Sequence, residues 1–250
     1  MLAVLNVSGY RFAHVADPHA LRDLLHEAAA GHGLKGTILL AHEGINLALA
    51  GAPAGVDAVL DMVRAQPGLD RLEVKCSRSA SQPFRRLRVK VKAEIIRMNH
   101  PAIAPQQGRA PAVDATTLRR WLDQGHDDEG RPVVTLDTRN GFEVDYGTFE
   151  GALDWRLARF SDFPAAAQAH RRELEGKTVV SFCTGGIRCE KAALYLQQAG
   201  VPNVWQLEGG ILRYFEEAGA AHFRGECFVF DQREALDPAL TPRQQRASHA

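Results

Sequence analysis

Cysteine is scarce in this chain. Only Cys76, Cys183, Cys189 and Cys227 occur in 250 residues, too few and too scattered for a disulfide scaffold in a chain of this size. They are expected to be thiols in a reducing cytoplasm. Long apolar runs are missing as well: no stretch approaches the ~20 residues that cross a bilayer, and Met1 to Phe12 lacks the basic opening and apolar run of a secretory signal. Membrane insertion and export are therefore not expected. There is no low-complexity tract, and 45% hydrophobic against 24% charged residues suits a packed core rather than a disordered chain. The ten histidines show no metal-ligand spacing, and Cys183 with Cys189 brings no further ligands, so no metal site is expected. No flavin or nicotinamide fingerprint is present, and no cofactor or electron donor is evident.

Net charge is also lacking. Thirty basic and thirty acidic side chains cancel, which at first sight disfavours a polyanionic partner. The average conceals a local excess: residues 71 to 109 hold ten Lys or Arg against two Glu, a balance of +8. This is a basic patch on a neutral protein.

At ~100–200 residues per domain, the length fits one large domain or two small ones. Leu2 to Phe12 reads as a strand, and Asp17-Pro18 as the start of a helix carrying Leu21, Leu24 and Leu25. Gly36 to Leu40 and Ile45 to Leu49 form a hairpin about His42-Glu43-Gly44, and Pro53 opens a second helix with Val56, Val59, Leu60 and Val63 on one face. Further strands are predicted at Leu72 to Lys75 and Leu87 to Ile96. The order βαββαβ with an added strand suggests a ferredoxin-like (acylphosphatase-like) α+β domain over residues 1–98. Residues 99–112, with three prolines and no periodicity, read as a linker.

Beyond it, strands alternate with helices. Pro132 to Leu136 and Thr178 to Phe182 are short apolar runs suited to buried parallel strands, and Val204 to Leu207 leads into Glu208-Gly209-Gly210 and another helix. That pattern implies an α/β domain with a parallel sheet over residues 113–220 and ligands at the carboxyl ends of its strands, followed by an extension over 221–250.

Cys183 lies at such an end, in Cys183-Thr184-Gly185-Gly186-Ile187-Arg188-Cys189. Thr184, Gly185, Gly186 and Ile187 would curl into an anion cradle whose amides, with the helix dipole, stabilise a thiolate. A lowered thiol pKa is what a nucleophilic cysteine needs, and Arg188 adds a cation that could hold an anionic group. The competing interpretation is a buried cysteine before an ordinary glycine turn. Cys189 is a candidate redox partner of Cys183, or simply a packed helix residue. Asp137 and Arg139 suit an ion pair that orders adjacent loops. His42 to Asn46 could line a substrate groove or form only a polar turn. Cys76 and Cys227 receive no role.

In Phe84 to Lys92 a period of two puts Arg86, Arg88, Lys90 and Lys92 on one strand face and Leu87, Val89 and Val91 on the other. A phosphate backbone would relieve the repulsion among the four cations. A solvated edge strand whose charges deter aggregation is the alternative.

Leu136-Asp137-Thr138-Arg139, Gly151-Ala152, Cys183 to Arg188 and Leu207 to Ile211 together resemble the successive signatures of the rhodanese fold. Thr148 stands where many rhodaneses have histidine, and four residues between Cys183 and Arg188 resemble a sulfurtransferase loop more than a cysteine phosphatase loop. Over nearly the whole chain, Gly36 to Asn46, Pro83 to Leu87 and Cys183 to Lys191 resemble the rhodanese-containing tRNA uridine hydroxylases. That resemblance implies oxygen-dependent conversion of the wobble uridine to 5-hydroxyuridine, with molecular oxygen as co-substrate and the tRNA anticodon loop as partner, in the cytoplasm. It makes Cys183 and Arg188 the expected catalytic residues, with RNA on the Arg86, Arg88, Lys90 and Lys92 face. Many such proteins carry a cysteine-rich tail after the segment matching Phe228 to Asp231; no such tail follows here, so its function is expected to be missing. A persulfide-forming sulfurtransferase and a noncatalytic RNA-binding or regulatory module remain the alternatives.

Overall fold

The computed structural model describes residues 4–243, so the first two residues of the expected first strand, Leu2 and Ala3, and residues 244–250 of the expected extension lie outside it. The chain divides into two compact units, Met1–Arg97 and Met98–Ala250.

The first unit runs β1 (Val4–Phe12), α1 (Pro18–Gly31), β2 (Lys35–Ala41), β3 (Gly44–Gly51), α2 (Pro53–Arg64), β4 (Val74–Ser79) and β5 (Leu87–Val91). Its sheet order is β4-β1-β3-β2-β5. The first four strands pair antiparallel in the ferredoxin-like order, and β5 adds to the free edge of β2 in parallel. Asp17 starts α1 as expected, its carboxylate accepting the His19 and Ala20 amides at 2.9 Å each, with Pro18 in the first turn. Val56, Val59, Leu60 and Val63 of α2 pack with Leu21 and Leu25 of α1 on the apolar face of the sheet.

Two strand boundaries differ from the sequence expectation. Leu72 sits in a turn, its amide bonded to Leu69 O at 3.0 Å, and Leu69 and Leu72 fill the core while β4 begins only at Val74. β5 ends at Val91 rather than Ile96, because a side chain replaces the ladder there. Glu43 Oε1 accepts the Ile95 amide at 2.7 Å, and Asn46 Nδ2 donates to Ile95 O at 3.3 Å. Glu43 and Asn46 thus tie down the segment that follows β5.

The second unit holds β6 (Ala112–Val113), α3 (Ala115–Gln124), β7 (Val133–Asp137), α4 (Gly141–Val144), β8 (Gly147–Phe149), β9 (Leu153–Asp154), α5 (Phe163–Ala169), β10 (Thr178–Phe182), α6 (Ile187–Gln198), β11 (Val204–Leu207), α7 (Gly210–Ala218), β12 (Phe223–Gly225), β13 (Cys227–Phe228) and β14 (Ala235–Leu236). Its main sheet, β6-β11-β10-β7-β9, is parallel throughout. All five residues of the central strand β10 are buried, as covering both faces of a parallel sheet requires. Residues 99–112 are not a free spacer: Ile103 and Ala110 are buried, Gln206 binds the Ala110 and Pro111 carbonyls, and Arg109 pairs with Glu190 at 3.1 Å. Apolar side chains and backbone acceptors draw this segment onto the second unit. Among the described residues no helix is long and apolar enough to cross a membrane.

Candidate active site

The site forms where β10 stops. The chain leaves Phe182 into Cys183-Thr184-Gly185-Gly186, and Gly186, at φ 101°, caps the amino end of α6. This left-handed turn, which glycine adopts without penalty, aims main-chain N–H groups back at the sulfur. The Gly186 amide donates to Cys183 Sγ at 3.1 Å, and the Arg188 amide donates to it as well.

Cys183 has no solvent exposure. Burial is the largest influence on it and opposes ionisation. The Cys189 hydrogen bond, the positive charge of Arg188 and the Arg188 and Gly186 amides together outweigh burial and hold the Cys183 thiol well below its ordinary value. Cys189, equally buried, moves the other way: burial first, then its hydrogen bond to Cys183 and the charge there, push it well up. The opposed shifts favour the negative charge on Cys183, with Cys189 donating to it. Thr138 Oγ1 lies 4.0 Å from Cys189 Sγ and also donates to Phe182 O at 2.9 Å.

Arg188, expected as a cation that could hold an anionic group beside Cys183, has its side chain engaged by a carboxylate. Its guanidinium is buried and bonded twice to Glu143, Nη1 to Oε2 at 2.6 Å and Nη2 to Oε1 at 2.8 Å. A buried charge left unpaired is costly, so the carboxylate engages it. Arg188 therefore acts on Cys183 through its field and its main-chain N–H. Glu143 Oε2 also accepts the Asn140 amide at 3.0 Å, which fixes the carboxylate at the start of α4. Glu143 lies 45 residues before Arg188 and belongs to no motif. The requirement that a buried arginine have a carboxylate partner is the one signal that points to such a residue.

The opposite wall of the loop is the amino end of α7. Ile211 and Leu212 donate their amides to the Cys183 and Thr184 carbonyls at 2.9 and 3.1 Å. These contacts are close because Gly210 has no side chain: at φ +66°, a Cβ there would stand 2.4 Å from Cys183 O and 2.8 Å from Gly186 N. Below the loop, Asp137 and Arg139 form the expected ion pair, fully buried, at 2.6 Å. Thr148 donates to the same Asp137 carboxylate at 2.8 Å.

The segment after α7 reaches the loop too. Thr184 Oγ1 donates to Phe228 O at 3.4 Å. Cys227 beside it is pushed up to about 12, chiefly by burial, so it is not a thiolate. Phe228 packs edge-on against Phe142 and Phe230, with centroids 5.2 and 5.1 Å away. Phe142 and Phe230 are 48% and 65% exposed, a concentration of open aromatic surface around the strand-end loop. Sequence reasoning met Phe228 and Phe230 only as part of the Phe228 to Asp231 segment and gave none of the three phenylalanines a role, since none has a distinguishing spacing.

In the first unit, Arg86, Arg88, Lys90 and Lys92 are all exposed, and Leu87, Val89 and Val91 between them are half-buried. β5 is an edge strand with one cationic face. Among the described residues no cluster of His, Cys, Asp or Glu suited to a metal ion occurs.

A ferredoxin-like unit followed by a parallel sheet with a glycine-cradled cysteine at a strand end defines a two-domain protein of rhodanese type. The UPF0176 acylphosphatase-like domain matches residues 4–95, and the rhodanese-like domain matches residues 114–217. The chain is 64% identical to the tRNA uridine(34) hydroxylase of Bordetella petrii over 243 residues, covering 97% of this chain and 96% of that one. It is 60% identical to the protein of the same name from Variovorax paradoxus, covering 99% and 94%, and 60% identical to that of Bordetella pertussis, covering 97% and 100%. The chain belongs to the tRNA uridine(34) hydroxylase family.

Proposed function

We propose that this chain hydroxylates carbon 5 of uridine 34 in the anticodon loop of tRNA, using molecular oxygen as co-substrate and the Cys183 thiolate as the attacking group. The observation that carries the reading is the thiolate cradle at Cys183 in a chain so close, end to end, to tRNA uridine(34) hydroxylases. An unpaired loop base is cheap to turn out of its stack. The thiolate adds to carbon 6 and makes carbon 5 electron-rich, and oxygen is delivered there. The amides of Gly186 and Arg188 stabilise negative charge on sulfur before addition and after its release. Cys183 is fully buried in this conformation, so the surrounding side chains part to admit the base. The place of action is the cytoplasm, where tRNA is found.

Heavy-oxygen labelling tests this. Purified protein, tRNA and labelled dioxygen are expected to yield uridine 34 heavier by one labelled oxygen atom, with no product under strict anaerobiosis. Anaerobic product, or sulfur in place of oxygen, returns the persulfide alternative.

Two surfaces support RNA as the partner. The cationic face of β5 suits a phosphate backbone. Neutralising one of Arg86, Arg88, Lys90 or Lys92 is expected to flatten the dependence of log affinity on log salt by roughly one unit. Unchanged tRNA affinity in the double variant Arg86→Ala, Lys90→Ala moves the RNA surface elsewhere. Phe142 and Phe230 offer open ring faces next to the loop, where bases flanking uridine 34 stack. Losing one stacked base is expected to raise KM about tenfold in Phe142→Ala or Phe230→Ala with kcat little changed; a fall in kcat at constant KM contradicts a stacking role.

A further inference from the structure

We propose that Cys183 and Cys189 together supply the two electrons that hydroxylation with dioxygen requires, and that they end each turnover as a disulfide. The proposal rests on the hydroxylase reading above and adds the source of reducing equivalents. When one oxygen atom enters the carbon 5–hydrogen bond, the other needs two electrons and two protons to leave as water. Two thiols becoming one disulfide deliver that amount: uridine, dioxygen and two thiols give 5-hydroxyuridine, water and a disulfide.

The pair is built for this. Cys183 ends β10 and Cys189 lies in the first turn of α6, its amide bonded to Gly186 O at 3.1 Å. The turn at Gly186 folds the helix start back over the strand end, so that the two side chains are hydrogen-bonded to each other. Thr138 Oγ1 lies 4.0 Å from Cys189 Sγ and donates at 2.9 Å to the Phe182 carbonyl that precedes Cys183. Both sulfurs are shut from water. Neither cysteine is in a disulfide here, and Cys227, the third cysteine at the loop, is also free.

The steps balance. Cys183 thiolate forms a bond to carbon 6, and the electron pair displaced to carbon 5 attacks dioxygen, giving a hydroperoxide at carbon 5 after protonation. Cys189, losing its proton, attacks the distal oxygen; the oxygen–oxygen bond breaks, leaving a hydroxyl on carbon 5 and a sulfenic acid on Cys189. Loss of the carbon 5 proton expels Cys183 from carbon 6 and restores the ring double bond. Cys183 thiolate then displaces hydroxide from the sulfenic acid, forming the disulfide and, with a proton, water. An external thiol reduces the disulfide before the next cycle.

The experiment uses the full chain, fully reduced and freed of small thiols, mixed with tRNA anaerobically and then exposed to oxygen. One 5-hydroxyuridine and the loss of two free thiols per protein are expected, after which product formation stops until dithiothreitol is added. Peptide mass spectrometry is expected to find the bond between Cys183 and Cys189. Without tRNA the thiols are expected to be lost at least tenfold more slowly. Cys189→Ser, whose hydroxyl still donates to Cys183, is expected to keep the thiolate absorbance and tRNA binding yet form at least tenfold less product in the thiol-free burst. Product without thiol loss in the wild type overturns the proposal, as does disulfide formation equally fast without tRNA, or a full burst from Cys189→Ser. Wild-type protein that makes no 5-hydroxyuridine even with dithiothreitol overturns the hydroxylase reading itself, and the proposal with it.

Discussion

Cys183→Ser is expected to lower uridine hydroxylation by on the order of 10⁴-fold or more, the scale on which removal of an attacking group acts when binding is kept. Serine fits the space and accepts the Gly186 amide that Cys183 Sγ now accepts at 3.1 Å, so the fold is expected to persist. What disappears is the thiolate. In the wild type the Cys189 hydrogen bond, the charge of Arg188 and the loop amides hold the Cys183 thiol well below its ordinary value, after the opposing effect of burial has been overcome. The same shift sets a sign for stability. A thiol ionised in the folded state but protonated in the unfolded chain makes stability rise with pH, from the lowered folded value up to the unfolded value near 8.5. The wild type is therefore expected to gain stability over Cys183→Ser as pH rises towards about 8.5, and to lose that advantage on acidification. Denaturant melts of both proteins across pH 5 to 8.5 check this; a constant difference contradicts a lowered Cys183 value. Near-normal modification of tRNA by folded Cys183→Ser removes the nucleophile assignment altogether.

The second large effect is expected at Gly210. An alanine there would place Cβ 2.4 Å from Cys183 O, 2.8 Å from Gly186 N and 2.9 Å from Thr184 O, at a φ of +66° that side chains rarely adopt. The backbone has no flexible end to yield, so either α7 or the cysteine loop moves. Since a displacement of ~1 Å costs roughly 100-fold in a positioned reaction, activity is expected to fall by about that factor. Stability is expected to fall by about 1–3 kcal/mol. Gly151 provides the control. It has nearly the same torsion, φ +71°, but nothing within 4 Å of an added Cβ. Gly151→Ala is expected to cost only the torsional strain, about 1–2 kcal/mol, and to leave turnover almost unchanged. Equal kinetic loss in both variants means that Gly210 matters for its torsion and not for its closeness to the loop.

Much of the architecture is legible in local patterns. Asp17-Pro18 marks the start of α1, the apolar positions of α2 fall on one helical face, and Thr178 to Phe182 reads as a buried parallel strand running into Cys183. These features are written in the spacing of a few neighbouring residues, and spacing survives in a one-dimensional text. So does the alternation in β5, because a period of two fixes which residues share a face before any partner strand is known. The cysteine loop is legible for the same reason: its torsions and its helix cap are set within seven residues.

What local pattern could not decide is where distant groups meet. Only tertiary packing brings Glu143 against Arg188, turning an expected anion-holding cation into half of a buried ion pair. It sets the amino end of α7 on the Cys183 and Thr184 carbonyls, which makes Gly210 a position without room. It ends β5 early, because the Glu43 carboxylate takes the Ile95 amide. It also gathers Phe142, Phe228 and Phe230 from segments some 85 residues apart at the edge of the loop. The physical reason is common to the first three. Buried charges and backbone groups must find partners wherever the fold supplies them, and sequence separation has no bearing on which partner is nearest. The chemistry of Cys183 is thus announced by its own loop, whose residues also lower its thiol, while its burial and its placement depend on residues that meet it only once the chain is folded.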